Sequence, residues 1–190
     1  MVRHYTDEPI ARDALERVVA TVQRAPSGGY SQGQRLIVVT DTKLRTEVSL
    51  LFPDDGGLEP WIPTAQALVV VCCRENDYHE RYNRPDKLAQ TGGVEIEWPA
   101  PYWFVDAGAA LMLILLAAID EGLGAGLFGV TVERMAAFKA IFRIPEDVSV
   151  VGVVTLGHPA PDPGWSERAS RRTQRRRPLD EVVHWERWSS

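Results

Sequence analysis

Three arginines and one short loop are the residues of this chain best suited to chemistry. Arg3 stands near one end of the sequence, and Arg175 and Arg177 stand near the other. A guanidinium is a planar fork of donors that matches phosphate oxygens in pairs, so folding that converges these residues would make an anion clamp. Between them lies Ala25-Pro26-Ser27-Gly28-Gly29-Tyr30-Ser31-Gln32. Its small residues allow backbone donors to come close to a flat polar ring.

Other patterns carry less. Gly29-Tyr30-Ser31-Gln32-Gly33 matches the G-x-S-x-G spacing of a serine nucleophile elbow. That elbow needs a strand before the serine and a helix after it, and here the order is reversed. His4, His79, His158 and His184 are scattered, and none stands at metal-ligand spacing with another histidine or with cysteine, so no metal site is expected. Gly122-Leu123-Gly124-Ala125-Gly126 resembles the start of a dinucleotide fingerprint. It follows a helical pattern and lacks the later glycine, so it reads as helix termination with tight packing.

The chain has 190 residues, 45% hydrophobic and 25% charged, which suits one globular domain and excludes disordered and disulfide-framed classes. The net charge is −5. Arg168, Arg171, Arg172, Arg175, Arg176 and Arg177 are six of the 21 basic residues, and only Glu167 opposes them there. The remainder carries 15 basic against 25 acidic residues, a poor surface for nucleic acid and a good frame for one small anion. The N-terminus has no apolar signal-peptide core, and the longest apolar run, Ala107 to Ile119, is shorter than the roughly 20 residues a bilayer needs. The expectation is a cytoplasmic protein with no membrane partner.

The elements that must position the candidate residues alternate in type. Leu15, Val18, Val19 and Val22 fall at helical spacing and predict a helix to about Arg24, stopped by Pro26 and Gly28-Gly29. Leu36 to Thr40 predicts a strand, Lys43 to Leu51 a helix, and Phe52 to Gly57 a loop. Ala67 to Cys73 is apolar at every position, so it predicts a strand central in its sheet. Neighbouring Cys72 and Cys73 then point to opposite faces and do not pair. Arg74 to Trp103 is polar, aromatic and poorly periodic, and reads as a long loop able to act as a lid, or as interface packing. Asp106 to Glu121 predicts a helix apolar nearly all round, either central or in a subunit interface. Thr131 to Phe142 predicts a further helix and Val148 to Leu156 a second core strand. Val182, Val183, Trp185 and Trp188 close the tail with apolar residues that need a surface to pack on.

Taken in order, these segments resemble the flavin-dependent nitroreductase family over nearly the whole chain. Val2-Arg3-His4-Tyr5 resembles its opening, Ala25 to Gly33 its proline-serine loop, and Asp106-Ala107-Gly108-Ala109-Ala110 through Gly124 its core helix and the glycine turn after it. Val151 to Pro159 resembles its last core strand and Arg175 to Val183 its closing basic motif. The resemblance implies an α+β nitroreductase-like fold, with a central mostly antiparallel sheet flanked by helices, built as an intertwined homodimer. Residues 1–190 would form one domain, with 161–190 an extension packing on the partner subunit.

The resemblance also implies FMN as cofactor, NAD(P)H (NADH or NADPH) as electron donor, and a nitroaromatic, quinone or similar small acceptor. Arg3, Arg175 and Arg177 are then expected to hold the FMN phosphate. Pro26, Ser27, Gly28, Tyr30 and Gln32 would meet the isoalloxazine ring from the partner subunit, and a backbone N–H near Gly129 would approach it. Tyr102 and Trp103 belong to the expected substrate lid. No protein acid–base pair is required, because the flavin carries the chemistry. The chain departs from the family at Tyr30, where asparagine is usual, and at Gly33-Gln34, where proline-tryptophan is usual. The arginine and serine usual just ahead of Arg3 are missing from this sequence, which starts at Met1, and Arg171 or Arg172 are candidates to compensate. Flavin-fragmenting and dehalogenating members share much of this pattern, and a flavin-binding dimer without turnover is a third reading.

Overall fold

The computed structural model describes residues 1–53, 60–162 and 175–188. Its elements are α1 (Arg12–Ala20), β1 (Gln34–Val39), α2 (Thr42–Leu50), β2 (Ala67–Cys73), α3 (Asn76–Tyr82), α4 (Pro85–Leu88), α5 (Tyr102–Asp120), β3 (Gly124–Phe128), α6 (Val132–Phe142) and β4 (Ser149–Gly157). Short 3₁₀ turns occupy Thr21–Arg24, Gly28–Tyr30 and Leu179–Glu181.

The four strands form one antiparallel sheet in the order β1-β2-β4-β3. All seven residues of β2 are buried because the sheet is covered on both sides. Ala67, Val69, Val71 and Cys73 face one layer with Leu15, Val18, Ala107, Leu111 and Ile114 of α1 and α5. Leu68, Val70 and Cys72 face the other, with Val48 of α2 and Phe138 of α6. The period of two along β2 thus assigns each cysteine to a different layer, and both thiols are free. Burial pushes Cys72 up to about 11 and Cys73 up to about 12.

Local chemistry sets the helices. Arg12–Glu16 and Asp13–Arg17 pair one turn apart along α1, while Leu15 and Val18 turn inward. Asp41 caps α2 by accepting from the Leu44 N–H at 2.9 Å. α6 ends at Arg143 with φ 53°, a left-handed turn taken here by a residue other than glycine.

Two segments depart from the sequence reading. Gly124–Phe128, expected only to terminate a helix, is the edge strand β3. Glycines weaken strand signals, but here they are required: a Cβ on Gly126 would lie 2.5 Å from the Val2 carbonyl oxygen and 2.8 Å from the Trp61 ring. The close approach seats the N-terminal arm, with Val2 N–H donating to the Ala125 carbonyl at 2.8 Å and Thr6 N–H to that of His158 at 2.9 Å. Residues 74–103 are not one long loop, because α3, α4 and the first two residues of α5 lie within them. α3 buries a single large side chain, Tyr78, and is otherwise held by charges, so it offered no periodicity to read.

α5 is 19 residues long, with a mean hydropathy of 2.0 in its most apolar window, 39% of which is buried. Ala107, Ala110, Leu111, Ile114 and Ala118 pack inward. Val105, Met112, Leu116 and Ile119 form an exposed stripe, so the helix is core on one face and uncovered on the other within a single chain.

Candidate functional site

The loop between α1 and β1 is fixed by its own backbone and by two helices. The Tyr30 N–H donates to the Ser27 carbonyl at 2.9 Å, and the Gln32 N–H donates to Ser27 Oγ at 3.0 Å. Gln34 Nε2 donates to the Pro26 carbonyl at 3.1 Å. Gly29, Tyr30 and Gln32 all take positive φ, at 58°, 62° and 54°. Two of these are not glycine, so the loop holds backbone that side chains disfavour and must be restrained from outside.

The restraint comes from α3 and α5. The Gly28 N–H donates to Asp106 Oδ2 at 2.8 Å, and Tyr78 OH donates to the same oxygen at 2.7 Å. Arg81 Nε donates to the Gly29 carbonyl at 2.8 Å while its outer nitrogens grip Asp86 at 3.0 and 2.7 Å. Gly33 packs so tightly on Tyr78 that a Cβ there would lie 2.5 Å from the ring. Burial and the Asp106 carboxylate both push the Tyr78 phenol strongly upward, so it stays protonated and donates. Pro26, Gln32 and above all Tyr30 remain exposed.

An aromatic cluster backs this frame. Trp98 lies edge-on to Tyr82 at 4.7 Å and within 6.1 Å of Tyr78, Trp103 and Tyr102. Tyr102 is exposed and Trp103 is buried. Glu95 pins the strap carrying Trp98 by accepting from Trp98 Nε1 at 2.8 Å and Asn83 Nδ2 at 2.6 Å, and it lies 2.6 Å from His79 Nδ1. Burial alone would raise the Glu95 carboxyl, but these bonds together outweigh it and hold it below its usual range. His79 is raised, chiefly by its bond to Glu95. A raised histidine stabilises fully below its ordinary value and loses that contribution as pH climbs through the folded value. A depressed carboxylate contributes above its ordinary value and loses it on acidification. The clip is therefore strongest between roughly pH 4.5 and 6.5. The His79 ring should titrate by NMR above its ordinary midpoint, and Glu95→Gln should bring it back down; an unshifted midpoint would dissolve the clip.

A cleft of about 710 Å³ opens on the outer side of the loop, lined in part by Tyr30, Gln32, Arg35, Asp77 and Arg81. Arg35 is paired to Asp77 at 2.7 Å and Arg81 to Asp86, so these charges are already answered. The candidate clamp lies elsewhere. Arg3 sits over Trp61 at 5.7 Å, Trp61 meets Phe128 edge-on, and Gly129 follows Phe128 with open space around it. Arg175 and Arg177 are exposed, and none of the three arginines makes an ion pair among the described residues. Arg168, Arg171, Arg172 and most of the Phe52–Gly57 loop lie outside the described residues.

The structure thus brings Pro26–Gln32 together with Tyr102 and Trp103 through Asp106 and Tyr78. It brings Arg3 toward Gly129 through Trp61. No hydrogen bond or ring contact joins these two groups among the described residues. Ser31 Oγ donates to the Gly28 carbonyl at 2.6 Å, where no base activates it, and no group of three His, Cys, Asp or Glu side chains gathers as a metal set among the described residues. Asp106, Tyr78, Arg81 and Trp61 are additions to the expected site. The one available signal was Asp106, a carboxylate inside an apolar run.

Comparison with known proteins defines the class. The model of the nitroreductase family matches residues 1–158, and the chain belongs to that family. An Archaeoglobus fulgidus protein with the provisional name NADH dehydrogenase/NAD(P)H nitroreductase is 30% identical, over 98% of this chain and 92% of its own. The FMN reductase [NAD(P)H] of Bacillus subtilis is 30% identical over 84% of this chain and 62% of that longer protein. The solved NADPH:FMN oxidoreductase of Vibrio harveyi, complexed with NAD+, shares the fold at a TM-score of 0.72 and 22% identity, covering 100% of this chain and 74% of its own.

Proposed function

We propose that this chain is an FMN-dependent NAD(P)H oxidoreductase that passes electrons to small nitroaromatic, quinone or related acceptors, acting as a cytoplasmic homodimer. The observation that carries the reading is the rigid, partly exposed loop at Pro26–Gln32, tied to α5 at the point where that helix's uncovered apolar stripe begins at Val105. In this reading two copies pair along that stripe, and each loop would then face the partner. The C-terminal extension, with Val182, Trp185 and Trp188 exposed, is then covered by the partner.

The residues fit FMN. Arg3, Arg175 and Arg177 are cations without a carboxylate partner among the described residues, as a phosphate needs. Pro26, Ser27, Gly28, Tyr30 and Gln32 supply a fixed surface for a flat ring, and the exposed backbone at Gly129 leaves room for its edge. Tyr102 borders the acceptor side, with Trp98 in contact with both it and Trp103. Bound FMN supplies hydride acceptance and donation, and the protein orients it and excludes water.

The test is the visible spectrum of the purified protein after FMN is added and excess removed, followed by NADH and NADPH oxidation with a quinone. About one flavin per chain and steady turnover are expected, with Arg3→Ala weakening FMN binding about tenfold, ~1.4 kcal/mol. A protein that stays colourless with FMN present overturns the reading.

A further inference from the structure

Asp106 occupies a position where an apolar residue would be the cheaper choice. Its neighbours in α5 are apolar from Tyr102 to Ala118, the residue is 7% exposed, and no cation pairs with it among the described residues. Burying a carboxylate costs several kcal/mol unless hydrogen bonds replace the lost water. Two do: the Gly28 N–H at 2.8 Å and Tyr78 OH at 2.7 Å, both on Oδ2.

What these bonds hold matters more than their number. Asp106 takes the N–H of Gly28, and Arg81 of another helix takes the carbonyl of Gly29. Two adjacent residues of the loop are thus gripped by opposite polarities from two elements. The grip sits one residue before Tyr30 and four before Gly33, where backbone at positive φ and tight packing on Tyr78 leave little freedom. Tyr78 spans the arrangement: its hydroxyl closes on Asp106 and its ring fills the space that Gly33 vacates.

We propose that Asp106 is a positioning residue for the flavin-facing loop, its carboxylate setting the orientation of the Ser27–Gly28 peptide on which the ring surface of Pro26–Gln32 depends. This rests on the FMN reading for the loop's ligand, though the anchoring itself does not. Asparagine at 106 keeps the size and one acceptor but loses the charge that both donors share. Tyr78→Phe removes one donor and keeps the bond to Gly28.

The experiment compares Asp106→Asn and Tyr78→Phe with the parent chain by hydrogen exchange of residues 25–33 without flavin, thermal midpoint, and FMN titration. Asp106→Asn should speed exchange in that loop at least tenfold, weaken FMN binding at least tenfold and shift the bound flavin's visible band, while the midpoint moves by only a few degrees. Tyr78→Phe should show the same changes, smaller. Unchanged exchange overturns the proposal whether or not FMN binds. A lowered midpoint with FMN affinity and band unchanged in the folded fraction also overturns it, since that is a scaffold role. Failure of the parent chain to bind FMN overturns the cofactor reading instead and leaves the exchange result to decide the anchor.

Discussion

Phe138→Ala should cost about 3–5 kcal/mol, the range for deleting a buried aromatic ring, and lower the thermal midpoint by on the order of 10 °C. Phe138 is fully buried on α6, with Phe142 at 5.2 Å and Phe52 at 6.4 Å in edge-on contact, against Leu68, Val70 and Val153 of the sheet. No small movement of α6 refills that space without unseating Phe142 too. The candidate loop belongs to the opposite layer, so the folded fraction of this variant should bind FMN with parental affinity. Circular dichroism melts and a flavin titration check both halves. A loss below 1 kcal/mol would mean that α6 is not seated on the sheet as described.

Gly126→Val should couple stability to cofactor binding. Its new Cβ would meet the Val2 carbonyl oxygen at 2.5 Å, Thr155 Oγ1 at 2.7 Å and the Trp61 ring at 2.8 Å. Backbone and a packed ring cannot swing away, so the N-terminal arm must leave β3, taking with it the Val2–Ala125 hydrogen bond and the seat of Arg3 over Trp61. Overpacking of this kind costs about 1–3 kcal/mol. FMN affinity should fall by at least as much as in Arg3→Ala, because the same guanidinium is displaced. Gly124→Ala is the graded comparison. Its nearest neighbours would be the Cβ and two Cγ atoms of Val2 at 3.0–3.1 Å, so a shift of a few tenths of an ångström accommodates it. Equal effects from the two substitutions would argue against the arm as the cause.

The contrast between these glycines and β2 shows where the sequence is readable. β2 declares itself because each of its seven residues answers to one requirement, apolar cover on both faces, and the alternation of its side chains follows from backbone geometry alone. α1, α2, α6 and β4 were legible for the same reason: several residues in each repeat one demand at a fixed period. β3 answers to a different chain segment, Val2 and Trp61, and its glycines record that proximity rather than strand propensity. α3 is held by one buried ring and by pairs such as Arg74–Asp77 and Arg81–Asp86, which leave no hydrophobic period. At the site, the loop was visible as a string of small residues and the arginines as unpaired charge. The bond from Gly28 to Asp106 spans 78 positions of sequence, and only the folded sheet brings its ends together.

Cys72 and Cys73 are covalent neighbours, yet the thickness of the sheet separates their surroundings. Each thiol is sealed by a different pair of helices, and each is kept from ionising by that seal. The chain therefore carries two chemical clocks, one per layer, at the same point along its backbone. A brief pulse of an alkylating reagent, read by mass at each sulfur, times the lifting of the α1/α5 layer separately from that of the α2/α6 layer, with no probe added to the protein.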